Sequence, residues 1–165
     1  MTEFQAYEYD INFMSEALAE ARKAYDKNEV PVGCVIVHQG QIVGRGHNLR
    51  ESSQDPRAHA EMMAIKEAAR ALGSWRLVDT TLYVTLEPCP MCAGALVNSR
   101  ISRLVYGCRD PKAGAIHSLY QLGDDQRLNH RFSSVEGVLG SEAGALLSEF
   151  FQAIRQNRLG SPRPT

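Results

Sequence analysis

Read as apolar and polar positions, the chain switches repeatedly between a helical and a strand period. Residues 10–27 keep a helical period, with Met14, Ala17, Leu18, Ala21, Ala24 and Tyr25 on one stripe and Asp10 placed to cap its start. Residues 30–37, Val-Pro-Val-Gly-Cys-Val-Ile-Val, form a nearly continuous apolar run, the pattern of a strand buried on both faces. Gln39-Gly40 predicts a turn and residues 41–46 the returning strand. Residues 48–56 are polar and loop-like. Asp55-Pro56 then announces a helix over about 57–72, ended by Gly73. Residues 80–86 are β-branched and strand-like, prolines open a helix over 88–99, and 103–108 read as another strand. Residues 110–134 are irregular with room for one short helix, 135–139 form a short strand, and 141–156 a final helix with Leu146, Leu147, Phe150, Phe151 and Ile154 on its apolar face. Buried strands alternating with helices predict an α/β fold, a sheet covered by helices on both faces.

Length and composition narrow the class without changing this picture. A chain of 165 residues is expected to be one domain, with a core over about 5–157 and a mobile tail over 158–165. Apolar residues at 44% and charged residues at 22% exclude a disordered or fibrous chain. No apolar run reaches the 18 residues of a membrane span, so no membrane association is expected. The first residues are acidic and lack the apolar stretch of a secretory signal. The expected compartment is therefore the reducing cytoplasm, where a close pair among Cys34, Cys89, Cys92 and Cys108 points to metal or catalysis before a structural disulfide. The net charge of −1 is unevenly spread. Five acids and no Lys or Arg fall in residues 1–21; six basic against three acidic residues fall in 100–131, and three arginines without an acid in 150–165. Such asymmetry suits either a polyanionic partner or ordinary solvated charge.

The candidate chemistry lies in His59-Ala60-Glu61 and Pro88-Cys89-Pro90-Met91-Cys92, each at a predicted helix start. Cys89 and Cys92 are three apart, one helical face, so both sulfurs can reach one ion. A helix N-terminus also favours the thiolate, the form that binds metal. His59, Cys89 and Cys92 leave a tetrahedral zinc one position for water, as catalytic sites do. Residues two apart point to opposite helix faces, so Glu61 shares this site only if the pair lies in the first turn. Taken alone, Cys-x-x-Cys also fits a redox dithiol or half of a structural zinc knuckle. Cys34 and Cys108 read as core, and His38, His47, His117 and His130 as surface or loop residues. Glu87, before Pro88, reads as support for the turn.

These motifs resemble the zinc-dependent cytidine/deoxycytidylate deaminase superfamily. Glu29-Val-Pro-Val-Gly-Cys-Val-Ile-Val37, Gly46-His-Asn48, Asp55-Pro-Arg-Ala-His-Ala-Glu-Met-Met63, Leu82-Tyr-Val-Thr-Leu-Glu-Pro-Cys-Pro-Met-Cys-Ala-Gly-Ala95, Gly107-Cys-Arg-Asp-Pro-Lys-Ala-Gly114 and Leu128-Asn-His-Arg131 are similar to the bacterial tRNA-specific adenosine deaminases, over residues 5 to 157. The resemblance implies a three-layer α-β-α sandwich with a five-stranded mixed sheet. It implies hydrolytic deamination of the wobble adenosine to inosine in an arginine tRNA, by a homodimer with one zinc per subunit. It makes His59, Cys89 and Cys92 the zinc ligands, Glu61 the proton shuttle, and Asn48 a pocket residue that hydrogen-bonds the flipped base. The tail departs from relatives with a lysine-rich C-terminus. Arg155 and Arg158 are expected along the RNA path. Asp110 reads equally as an acceptor for the ribose 2′-hydroxyl or as a turn residue before Pro111. A deaminase of a free base or nucleotide, of the guanine or cytosine type, and a non-catalytic zinc-binding subunit remain alternatives; Glu61 argues against the second.

Overall fold

The computed structural model describes residues 2–156. Helix α1 (Glu3–Asp26) is followed by strands β1 (Gly33–His38) and β2 (Gln41–His47), the short helix α2 (Arg50–Ser53) and helix α3 (Ala60–Leu72). Strand β3 (Thr80–Leu86), helix α4 (Pro90–Ser99) and strand β4 (Arg103–Cys108) come next, then a single 3-10 turn (Leu122–Asp124), strand β5 (Ser133–Glu136) and helix α5 (Gly140–Arg155). The sheet order is β2-β1-β3-β4-β5. β1 is antiparallel to β2 and β3, whereas β3, β4 and β5 run parallel, which makes the sheet mixed.

Side chains alternate across this sheet, and both faces are covered. Cys34, Ile36, Leu82, Val84, Leu104 and Tyr106 face α3 and α4, meeting Ala60, Ala64, Ala93 and Leu96. Val35, Val37, Tyr83 and Val105 face the other way, onto Met14 and Ala17 of α1. A strand between two helical layers needs apolar residues at every position, which accounts for the unbroken run in β1.

Several boundaries differ from the sequence reading. α1 begins one and a half turns or more before residue 10, because Thr2 and Gln5 form a capping box: Gln5 N–H donates to Thr2 Oγ1 at 3.2 Å and Thr2 N–H to Gln5 Oε1 at 2.8 Å. Asp10 is therefore no cap. It lies buried inside the helix and accepts both guanidinium arms of Arg103, at 2.8 and 2.7 Å, and the Tyr83 hydroxyl at 2.9 Å. β1 starts at Gly33 because Val30 and Val32 belong to a turn, and residues 50–53 of the polar loop are helical. The tail over 158–165 lies outside the described residues.

β2 carries glycine where α3 comes closest. A Cβ on Gly46 would sit 2.3 Å from the Ala60 carbonyl oxygen and 2.7 Å from the Ala64 nitrogen. The strand thus lies directly against the first turn of α3, the turn that carries Glu61 and follows His59. Gly144 in α5, by contrast, has no heavy atom within 4 Å of its missing Cβ. Gly46→Ala should lower stability in urea unfolding by about 1–3 kcal/mol, the usual cost of overpacking. Gly144→Ala should raise it by about 0.5–1 kcal/mol, as a helix-interior glycine is replaced.

Candidate active site

Two helix starts meet at the carboxyl end of β3. His59 is the N-cap of α3 and Cys89 the N-cap of α4, both in extended backbone, and Pro90 at the first helical position fixes the entry of α4. Neither side chain caps its own helix. Both turn instead towards Cys92, buried in the first turn of α4. His59 Nδ1 lies 3.6 Å from Cys89 Sγ and 3.6 Å from Cys92 Sγ, and the three ligand atoms lie within 4.8 Å of one another. An imidazole nitrogen has one lone pair and cannot accept from two thiols equally. A tetrahedral zinc with bonds of ~2.3 Å to sulfur and ~2.0–2.1 Å to nitrogen gives nitrogen–sulfur edges of about 3.6 Å. The donor set and its spacing therefore fit zinc.

Electrostatics separate the groups. The Cys89 thiol is pulled down to about 4, chiefly by a hydrogen bond from Cys92, with His59 helping and burial opposing. The same contact, with burial and the Glu61 charge, pushes the Cys92 thiol far up. Its hydrogen bond to Cys89 pushes His59 above its ordinary value, against the effect of burial. Glu61 is 4% exposed, and burial pushes its carboxyl up to about 7.

These groups border a cavity of about 220 Å³. His59, Glu61 and Cys89 form its chemical end, Val30, Val32 and Leu86 are apolar lining, and Asn48, Arg50 and Asp110 add polar groups. The Asn48 amide is oriented by its own chain: Nδ2 donates to the Val30 carbonyl at 3.3 Å and Oδ1 accepts the Arg50 N–H at 3.2 Å. One amide hydrogen is left over. Asp110 takes the turn position expected before Pro111. It lines the cavity, and its Oδ1 accepts the N–H groups of Lys112 at 3.0 Å and Ala113 at 3.2 Å, as a turn residue does.

The structure brings Asn48, His59, Glu61, Cys89, Cys92 and Asp110 together. It leaves Arg155 exposed on the last turn of α5, away from the cavity lining, and Arg158 lies outside the described residues. Half of the six basic residues over 100–131 are neutralised internally: Arg103 pairs with Asp10, Arg109 with Glu136 and Arg127 with Asp125, while Arg100 donates to the Val97 carbonyl of its own helix. Sequence position cannot show such pairs, two of which join distant elements. Arg50 borders the cavity unannounced by any motif. His47 is not a plain surface residue; its Nδ1 lies 3.0 Å from the buried Glu20. Cys34 is core as expected, and Cys108 is half-buried with its thiol donating to the Thr85 carbonyl. Burial pushes Glu87 up, but hydrogen bonds from Ser118, His117 and Asp110 outweigh it and hold the carboxyl below its ordinary value.

Purified protein should carry one zinc per chain by elemental analysis. The double substitution Cys89→Ser, Cys92→Ser should remove it, and Glu61→Ala should keep it, since Glu61 is outside the ligand cluster.

Residues 7–108 match the family model for the cytidine and deoxycytidylate deaminase zinc-binding region. The chain is 53% identical over 149 residues to a tRNA-specific adenosine deaminase of Bacillus subtilis, covering 90% of this chain and 92% of the relative. A solved structure from a study of A-to-I editing by tRNA:A34 deaminases at the wobble position superposes with a TM-score of 0.79 at 42% identity, covering 82% of this chain and 98% of the other. A guanine deaminase from Bacillus subtilis, 38% identical, superposes over 59% of this chain and 63% of its own, with a TM-score of 0.57. With the His59–Cys89–Cys92 cluster and Glu61 in place, the chain belongs to the tRNA-specific adenosine deaminases, within the cytidine and deoxycytidylate deaminase family.

Proposed function

We propose that this enzyme hydrolyses the exocyclic amine of the wobble adenosine in the anticodon loop of an arginine tRNA, leaving inosine and releasing ammonia. The observation that carries the reading is the tetrahedral spacing of His59, Cys89 and Cys92 beside a buried Glu61, in a chain half identical to tRNA-specific adenosine deaminases. The arginine tRNA is supported by the sequence resemblance alone.

His59, Cys89 and Cys92 would hold the zinc. When bound, zinc would supply Lewis acidity that lowers the pKa of a bound water to about 7. The rest falls to the chain. The adenine leaves the anticodon stack and enters the cavity, at a cost of a few kcal/mol. Val30, Val32 and Leu86 give its ring apolar contact, and the spare amide hydrogen of Asn48 holds its edge. Glu61 accepts a proton from the attacking water and passes it to purine N1. Glu61 then takes the second proton of the former water from the C6 hydroxyl and delivers it to the amine as the C6–N bond breaks, so water and adenosine become inosine and ammonia. One carboxylate serves both transfers because its protonation alternates within the cycle. Burial out of water keeps that exchange between Glu61 and the substrate.

The enzyme acts in the cytoplasm as a homodimer with one zinc per subunit. The resemblance supports this, as do Leu119 and Tyr120, large apolar side chains left more than half exposed. Arg155 and Arg158 contact the RNA backbone. Asp110 offers its other carboxylate oxygen to the ribose 2′-hydroxyl, a group DNA lacks.

Glu61→Ala should cut inosine formation on an anticodon stem-loop RNA by at least 10²–10⁴-fold, the usual loss of a general acid–base, while zinc stays bound. Near-normal turnover would overturn the assignment. Free guanine and cytosine, run beside the RNA, should not be deaminated. Asp110→Asn should narrow the preference for RNA over a matched DNA hairpin, read as the ratio of the two kcat/KM values. An unchanged ratio would leave Asp110 as a turn residue only.

A further inference from the structure

We propose that Glu29 and Glu87 are positioning residues: two buried carboxylates that clamp, through backbone N–H groups, the two loops forming opposite sides of the cavity. The proposal rests on the functional reading above. It names residues that the chemistry itself does not use.

Glu87 is 2% exposed and lies two residues before Cys89. Its carboxylate reaches across to residues 110–118. Oε2 accepts the Asp110 N–H at 2.9 Å and the Ser118 hydroxyl. Oε1 accepts the N–H groups of Ile116 at 3.2 Å, His117 at 2.7 Å and Ser118 at 2.9 Å. Five donors on two oxygens exhaust the carboxylate's capacity of roughly four lone-pair sites. The loop wraps this group closely, because a Cβ on Gly114 would fall 2.3 Å from Glu87 Oε2. The same loop supplies Asp110 and Ala113 to the cavity.

Glu29 does the same on the other side. It is 1% exposed, and it accepts the N–H groups of Glu51, at 3.2 Å, and Ser52, together with the Ser52 hydroxyl. Those donors belong to α2, which begins at Arg50, and the Arg50 N–H is also what orients Asn48. Glu29 thus fixes the segment that brings Asn48 and Arg50 to the cavity.

A backbone N–H in a loop has no strand or helix partner, so an internal carboxylate is what gives such a loop one conformation. Glutamine cannot replace it, since its NH₂ would face donors. The loops then lose their fixed distance from the zinc ligands without any change in the ligands themselves. That loosens substrate capture before it alters chemistry.

Glu87→Gln and Glu29→Gln, in the full zinc-loaded chain, are the test. Hydrogen exchange should accelerate locally, at amides 110 and 116–118 in the first variant and at 51–52 in the second, with zinc content unchanged. KM for the anticodon stem-loop RNA should rise on the order of 10-fold or more with kcat nearly kept, the scale at which small misplacements act. A merely structural role would lower kcat through lost folded enzyme, leave KM alone and accelerate exchange throughout the chain. Either that pattern, or unchanged local exchange, overturns the proposal. If Glu87→Gln does not fold, Gly114→Ala, which crowds the same carboxylate, must give the local exchange and the KM rise, or the proposal fails. Inactivity of the unaltered enzyme on RNA would sink the functional reading; the exchange data would still decide whether the carboxylates anchor the loops.

Discussion

A ring nitrogen 3.6 Å from two sulfurs at once is more than one hydrogen bond accounts for, because an imidazole nitrogen has a single lone pair. The spacing is the edge length of a tetrahedron around a zinc ion, and the fold is arranged to hold it. Two helices must begin at one point, each with its N-cap side chain turned away from its own backbone. α4 is placed there because β3 delivers it directly, through Glu87 and Pro88. α3 is placed there because β2 presses against its first turn, with glycine at the closest approach. Both sulfurs lie at the start of α4, and helix N-termini favour thiolate charge.

The buried acids show how the chain separates structure from chemistry. Asp10, Glu20, Glu29, Glu61 and Glu87 are all nearly inaccessible. Asp10 is matched by Arg103 and Tyr83, Glu20 by Lys23 and His47, and Glu29 and Glu87 by loop N–H groups. Glu61 has only its own N–H and the neighbouring His59 and Cys92 to oppose burial, and burial prevails. A carboxylate saturated with donors has no lone pair left for a moving proton, and a poorly matched one does. The contrast supports the proposed role of Glu61 as proton shuttle on grounds independent of the motif carrying it.

The zinc cluster was legible because its ligands lie three residues apart on one helix face and at a second helix start, both local patterns. β1 was legible because burial on both faces leaves an unbroken apolar run, whereas the exposed edge strand β5 runs over Ser133–Glu136 and not 135–139. What the sequence hid was long-range pairing. Asp10 looks like a cap because it precedes the apolar stripe, yet its partner Arg103 is 93 residues away. The basic residues over 100–131 look like a nucleic-acid surface until Asp10, Asp125 and Glu136 are seen to neutralise three of them. Glu29 looked like one residue of a resemblance string, and its partners lie 22 and 23 residues on.

The same pairing limits how this surface can meet RNA. An arginine already in a bidentate ion pair, as Arg109 is with Glu136, must give up that partner or share it before gripping a phosphate. Single-stranded nucleic acid is held by a combination of charge and base stacking, and charge alone makes binding strongly salt-dependent. With three of the six basic residues over 100–131 already in ion pairs, that stretch offers fewer free cations to the phosphates around the anticodon loop than its composition suggests. Arg50, half exposed at the cavity edge, is the cation best placed to add a backbone contact without breaking a core pair, since its link to Glu51 is a loose 3.7 Å. A base flipped into walls that Glu29 and Glu87 hold in place, as proposed above, would make recognition depend on the shape of the loop that can deliver that base. An anticodon loop, already unpaired and sharply turned, delivers it at lower cost than a duplex would.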